Sequence, residues 1–231
     1  MARLPRLAVA GQTHLVSLYG HSGQPVFVDD LDRQLFLAAL REAALQQQVA
    51  VQAYVLLDNH VHLLVLPAAA AGLGALMQGL GRRYGAGFNR RHQRQGSLWA
   101  GRYRATVLQP GPLVLEAMLF IHLHALRGGQ VSQAQDHLWC SARHHLGLWR
   151  DPLVTDGPAW WALGNTPFER EAAFRRLLDE GLPRERAQAL ADAARKAWAL
   201  GDAAFLQALQ KGSDRPLQPR PRGRPRKAAP E

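Results

Sequence analysis

The sequence predicts an α+β fold: an antiparallel sheet with helices on one face, followed by a small helical region and a disordered basic tail. Three observations carry this. Four segments read as strands and two intervening segments as amphipathic helices, in the order β-α-β-β-α-β, followed by a further helix. After about residue 150 the composition shifts to short segments with helix-start signals. From Arg215 to Lys227 six of thirteen residues are Arg or Lys, interleaved with prolines, a composition that cannot pack a core.

His14–Tyr19 reads as the first strand. Asp29 or Asp30 caps a helix that carries Leu31, Leu35, Leu37, Leu40 and Ala44 at helical spacing. Val49–Leu57 and His60–Leu66 are the second and third strands, and Asp58-Asn59 between them is a tight hairpin turn. A small-residue loop from Pro67 to Gly72 leads to a second helix, with Leu73, Leu76, Met77, Leu80, Tyr84 and Phe88 along one face. Arg102–Gln109 is a fourth strand, stopped by Pro110-Gly111-Pro112. A third helix runs from about Leu113 to Leu126 and ends at Gly128-Gly129. This order is the ferredoxin-like split β-α-β pattern and occupies residues 1–130. A connecting segment spans 131–165. In Thr166-Pro167-Phe168-Glu169 the threonine is an N-cap, the proline sits at N1 and the glutamate at N3. That helix continues to about Glu180. Two more, Arg184–Leu200 and Asp202–Gln210, complete a helical appendage over 166–212, and the tail occupies 213–231.

The formal net charge is +10 and the pI about 10.9, which points to a polyanionic partner, nucleic acid before anionic membrane. A genome rich in G·C also inflates arginine content, but here the charge is clustered. The single cysteine, Cys140, excludes an intramolecular disulfide and fits a reducing cytosol. No apolar run reaches the roughly 18 residues that span a bilayer, and Met1–Gly11 has too short an apolar patch to read as a signal peptide.

Within the third strand, His60 and His62 flank Val61. Side chains alternate across a strand, so the two imidazoles share a face and make half of a divalent-metal site. Taken alone, the pair also reads as two solvated or hydrogen-bonded histidines. Cys140, His144 and His145 invite a zinc reading, against which core packing is the simpler account.

Further stretches add context: Met1-Ala2-Arg3-Leu4-Pro5-Arg6, Asn59-His60-Val61-His62-Leu63-Leu64-Val65, Leu80-Gly81-Arg82-Arg83-Tyr84, Phe88-Asn89-Arg90-Arg91, Gly96-Ser97-Leu98-Trp99 and Gly101-Arg102-Tyr103-Arg104, then Ala162-Leu163-Gly164, Trp198-Ala199-Leu200-Gly201 and the basic tail. As an ordered set they resemble the REP-associated tyrosine transposases, single-tyrosine members of the HUH endonucleases, over essentially the whole chain. The resemblance implies an HUH domain, hairpin or single-stranded repeat DNA as partner, and Mg or Mn as the divalent metal. It also implies strand cleavage through a 5′-phosphotyrosine, a monomer or homodimer, and a bacterial cytoplasm with nucleoid association.

Three departures qualify it. The family's Tyr-Ile-x-x-Asn-Pro-Val-Arg-x-Gly pattern matches Phe120-Ile121-His122-Leu123-His124-Ala125-Leu126-Arg127-Gly128-Gly129, so Phe120 stands at the nucleophile position and has no oxygen to attack with. His124 stands where the family has Asn or Gln as third metal ligand. It reads either as a third ligand, favouring Mn, Co or Zn over Mg, or as a drifted surface residue. After the first strand an Arg-Gly-Asn-Asn-Arg-like segment is replaced by Tyr19-Gly20-His21-Ser22-Gly23, removing two phosphate-holding arginines.

Arg82, Arg83, Arg90 and Arg91 form a basic helix end, with Arg102, Tyr103 and Arg104 close in sequence. They read as DNA contacts or as a solvated basic face, and Trp99 reads as core. Tyr84 falls on the apolar stripe of its helix. In the tail, Arg222, Gly223, Arg224, Arg226 and Lys227 resemble an AT-hook, which places arginines in a narrow A·T-rich minor groove; a nonspecific polybasic anchor is the alternative.

Overall fold

The computed structural model describes residues 6–218. The AT-hook-like residues Arg222, Gly223, Arg224, Arg226 and Lys227 lie outside the described residues. The first half follows the expected order: β1 (His14–Tyr19), α1 (Asp30–Gln46), β2 (Val49–Leu57), β3 (His60–Pro67), α2 (Ala70–Arg91) and β4 (Arg104–Val107). The strands lie in the spatial order β2-β3-β1-β4, each pair antiparallel. Tyr19 pairs with His60, and Ser17 pairs with both His62 and Arg104. Residues paired across a ladder share a face, so these five side chains stand on the same side of the sheet.

Helices α1 and α2 cover the other side, against Val16, Leu18, Leu56, Val61, Leu63 and Val65. The apolar stripe of α2 is the one its spacing predicts: Leu73, Leu76, Met77, Leu80, Tyr84 and Phe88 are all buried. That of α1 is rotated. Phe36, Ala39, Leu40 and Ala43 face the core, while Leu31 and Leu35 are 46% and 47% exposed. The cause lies at the helix start, where Asp29 caps Asp32 N–H (3.0 Å) and Asp32, 1% exposed, accepts from Val28 N–H (2.8 Å). That turns the Asp32–Phe36 side inward, where Phe36 meets the rings of Phe27 and Tyr84 edge-on.

β4 is four residues long, shorter than the expected Arg102–Gln109. Past Val107 the ladder ends, as Leu108 N–H bonds Thr13 and Gln109 N–H bonds Leu200, both at 2.9 Å. The third helix is also interrupted. α3 (Pro112–His122) stops at Leu123 (φ −84°, ψ 4°) and the chain resumes as the single turn α4 (His124–Arg127).

The second face of the sheet is covered too. α3 packs there with α5 (Ala142–His145), α6 (Pro158–Trp161), α7 (Pro167–Glu180) and α8 (Arg184–Lys196), burying Leu15, Ala53, Val55, Leu57 and Leu64. Thr106 on β4 donates to the Ala193 carbonyl of α8 at 2.8 Å. Thus α1 and α2 are the expected helices on one face, and the later helices close the other. α7 starts at the Thr166–Glu169 capping box. α8 stops at Lys196 rather than Leu200 because Ala197 takes a left-handed conformation (φ 56°). Asp202 caps α9 (Ala203–Lys211). Packing persists past residue 213: Leu217, 3% exposed, lies against Leu7, Val107, Ala199 and Leu206.

Candidate metal centre and its surroundings

The face that carries His60 and His62 is the face α3 and α4 pack on, and this brings His124 over the pair. One ring nitrogen from each of His60, His62 and His124 lies within 4.8 Å of the other two. His60 Nε2 and His124 Nε2 are 3.1 Å apart. Nitrogens about 2.1 Å from a common ion would be separated by about 3.0–3.4 Å in octahedral or tetrahedral geometry, so the spacing fits a shared cation.

The other ring nitrogens of His60 and His62 are engaged too. His60 Nδ1–H donates to Asn59 Oδ1 at 2.7 Å, which leaves Nε2 as its coordinating atom, the arrangement that orients histidine ligands at metal sites. His62 Nδ1 shares a hydrogen bond with Ser17 Oγ at 2.8 Å. His124 Nδ1 is buried without a hydrogen-bond partner. Burial holds all three rings below their ordinary pKa. His124 is pushed down to about 3, first by burial and then by His60 and Arg127. Three neutral imidazoles at neutral pH offer lone pairs without proton competition. This donor set fits a divalent cation and favours the softer ions over Mg.

Phe120 stands edge-on to His62 at 5.5 Å and to His124 at 5.7 Å. Arg127 closes the site from α4: it donates to the Phe120 carbonyl at 2.5 Å, and its guanidinium lies 4.8 Å from that ring's centre. Burial pushes Arg127 down to about 10, which leaves it charged at neutral pH. On the opposite side Tyr19 stacks on His60, with centroids 5.6 Å apart and planes at 17°. The Arg104 guanidinium lies 5.2 Å from the Tyr19 ring. Ser17, Tyr19, Asn59 and Arg127 were not singled out from sequence as site residues. Strand periodicity places Ser17 and Tyr19 on one face, but only the β1–β3 register puts that face against the histidines.

The basic candidates divide. Arg82 and Arg90 are exposed on α2, across the sheet from the histidines. Arg83, on the same helix, pairs with Glu42. Arg91 is committed to Asp29 (2.5 Å) and Asp32 (2.6 Å), an ion pair that ties α2 to the start of α1. Arg102 is exposed, and Arg104 stands on the histidine face. Tyr103 is 9% exposed, with Arg6 4.0 Å above its ring, so little ring surface remains for a base to stack on. Trp99 and Tyr84 pack in the core.

A second cluster, His144, His145 and Asp156, also brings three donor atoms within 4.8 Å. Its tautomers argue against a cation. His144 Nδ1 accepts from Asp151 N–H at 3.0 Å, so the proton sits on Nε2, toward Asp156 at 3.3 Å. His145 is wholly buried among the rings of His122, Trp160 and Phe174. Cys140 is buried apart from this cluster, its thiol pushed up to about 12 by burial.

Residues 10–113 match the family model described as transposase IS200 like. No curated protein matches the chain. Among solved structures, one described as the REP-associated tyrosine transposase bound to a REP hairpin shares the fold. It has a TM-score of 0.55 and 15% identity over 69% of this chain and 93% of that one. A Deinococcus radiodurans protein assigned as a transposase aligns over 57% of this chain and 96% of its own, with 19% identity and a TM-score of 0.36. Among the described residues no helix is long and apolar enough to cross a membrane.

Proposed function

We infer, from the match of residues 10–113 to the IS200-like transposase model, that this chain binds hairpin-forming or single-stranded repeat DNA and presents a phosphodiester to a divalent metal. The observation that carries the reading is the convergence of His60, His62 and His124 on one sheet face, all held neutral. These three would hold the metal, which when bound supplies Lewis-acid polarisation of a phosphate oxygen. Arg127 and Arg104 flank the histidines with positive charge. Arg82, Arg90 and Arg102 give the rest of the surface cations for phosphate contacts, and the tail residues Arg222, Arg224, Arg226 and Lys227 add more. With DNA as partner the protein would associate with the nucleoid, and the resemblance implies a monomer or homodimer. The solved relative of the same fold was captured with a REP hairpin, which supports a structured single-stranded ligand.

Phe120 favours a second reading. A phenyl ring cannot become a phosphotyrosine, so cleavage through position 120 is closed. A transposase-derived protein that binds DNA without cutting it is the alternative to a working nuclease.

Binding is tested with a fluorescent hairpin oligonucleotide carrying a single-stranded flank, titrated with protein with and without Mn. The expected result is tighter binding to the hairpin than to a blunt duplex of the same composition, with Mn binding lost in a His60→Ala, His62→Ala double variant. Equal affinity for duplex and hairpin, or Mn binding that survives the double substitution, overturns the reading.

A further inference from the structure

The chain has four tyrosines, and three are spent on the fold. Tyr54, 3% exposed, bonds Asp151 at 2.6 Å. Tyr84, 4% exposed, donates to the Val26 carbonyl at 2.5 Å. Tyr103 packs on the far side of the sheet beneath Arg6. Tyr19 is different. It is half-buried, stands on the histidine face, and lies parallel to His60. Its ring centre is 6.2 Å from His62, against 5.5 Å for Phe120. The two rings therefore approach His62 at similar distances, Phe120 from α3 and Tyr19 from β1.

Both positions depart from the pattern the chain resembles. Where the resemblance has an arginine at the end of the first strand this chain has Tyr19, and where it has a tyrosine on the helix this chain has Phe120. We propose that Tyr19 is the nucleophile here: the reacting oxygen has moved from α3 to the end of β1. The inference rests on the DNA-and-metal reading above.

The surroundings suit that role. Arg104 lies 5.2 Å from the Tyr19 ring, on the paired strand, and supplies a cation for a phenolate and for the charge that builds on a phosphoryl group under attack. The backbone is fixed on both sides of the residue. Tyr19 is the last residue of β1, and Gly20 N–H bonds the Asn59 carbonyl at 2.7 Å, which clamps the strand end to the turn before His60. A Cβ at Gly20 would come within 2.1 Å of the Gln24 carbonyl oxygen, so the close approach requires glycine. A nucleophile on a rigid strand end beside its metal ligands is well placed for repeated use.

In the reaction the Tyr19 hydroxyl gives its proton to water and Oη forms a bond to phosphorus. The bond from phosphorus to the 3′ oxygen breaks, and that oxygen leaves and takes a proton from solvent. The product is a 5′-phosphotyrosine and a free 3′-hydroxyl, with no change of oxidation state.

The test uses the full chain, Mn and a 5′- and 3′-labelled hairpin oligonucleotide with a single-stranded flank, read on a denaturing protein gel. Four proteins are compared: wild type, Tyr19→Phe, Phe120→Tyr and the double variant. Tyr19→Phe removes one oxygen and keeps the ring that stacks on His60. Wild type is expected to form a covalent adduct, and Tyr19→Phe to lower it by about a hundredfold or more. Mass spectrometry of a tryptic digest is expected to place the nucleotide on peptide Leu7–Arg33, whose one tyrosine is Tyr19. A wild-type adduct that survives Tyr19→Phe, or maps elsewhere, overturns the proposal. An inert wild type beside a reactive Phe120→Tyr overturns it too, while leaving the DNA-and-metal reading intact. No adduct from any of the four overturns the proposal as well, and the DNA-and-metal reading is then judged by the hairpin and Mn titrations above.

Discussion

Lowering the pH should barely weaken metal binding at the three-histidine centre. An ordinary histidine titrates near 6.5, so at about pH 5.5 only about one ring in eleven keeps its lone pair. Each ordinary ligand would then lower apparent affinity about tenfold, and three together about a thousandfold. Here the direction of each shift removes that competition. Burial holds His60 and His62 below their ordinary range, and His124 sits at about 3. A depressed pKa keeps the imidazole neutral as pH falls, so protons compete with the cation only under more acid conditions. The expected loss between about pH 7.5 and 5.5 is under tenfold for the whole site. Calorimetric titration of Mn at the two pH values measures it directly, and His124→Ala should weaken binding at both. A loss of about a hundredfold or more would show that the rings titrate as exposed histidines do, and would refute burial as the controlling factor.

Other expectations are simpler to measure. Arg91→Ala should lower the urea midpoint, because Asp32, 1% exposed, loses a charged partner and keeps only His92 and the Val28 N–H. Arg82→Ala should leave the midpoint unchanged and reduce the salt slope of hairpin binding by about 1. His14 is buried and pushed down to about 4; its Nδ1–H donates to Gln12 and its Nε2 accepts from Val9 N–H. The unfolded chain takes up that proton below about 6.5 and the folded chain does not until near 4. Stability is therefore lost as pH falls, about 2 kcal/mol by about pH 5, and His14→Gln should flatten denaturation midpoints over that window. Phe174, fully buried against His122, His145 and Trp160, should cost about 3–5 kcal/mol when replaced by Ala, lowering the thermal midpoint accordingly.

The element order of the first half and the apolar stripe of α2 were legible in the sequence because both follow from periodicity. The stripe of α1 was legible in part: Leu40 and Ala44 are buried as its spacing predicts, but Leu31 and Leu35 are exposed and Phe36 takes the inward side with Asp32, whose partner Arg91 lies 59 residues away. That same partnership removes Arg91 from the surface cations, which its position in a basic run did not reveal. At the candidate centre, His60 and His62 announce themselves by alternation, and the family pattern pointed to His124. Tyr19 and Ser17 needed the register of β1 on β3, which is a tertiary fact. The closing of the second sheet face depends on α5 to α8, which lie far along the chain from the strands they cover.

That second face has a consequence for how the protein comes into being on the ribosome. Helix α3 carries Phe120 and leads into His124, and it packs with the sheet and with α7 and α8, which are made later. When the strands and α1 and α2 have emerged, the inner side of the nascent domain is still bare around Leu15, Val55 and Leu64. Phe174, Leu190 and Ala194 complete the core on that side, and all three are translated after His124. A chain that stops between α4 and α7 therefore carries all three histidines but lacks Phe174, Leu190 and Ala194, which complete the packing around the helix that leads into His124.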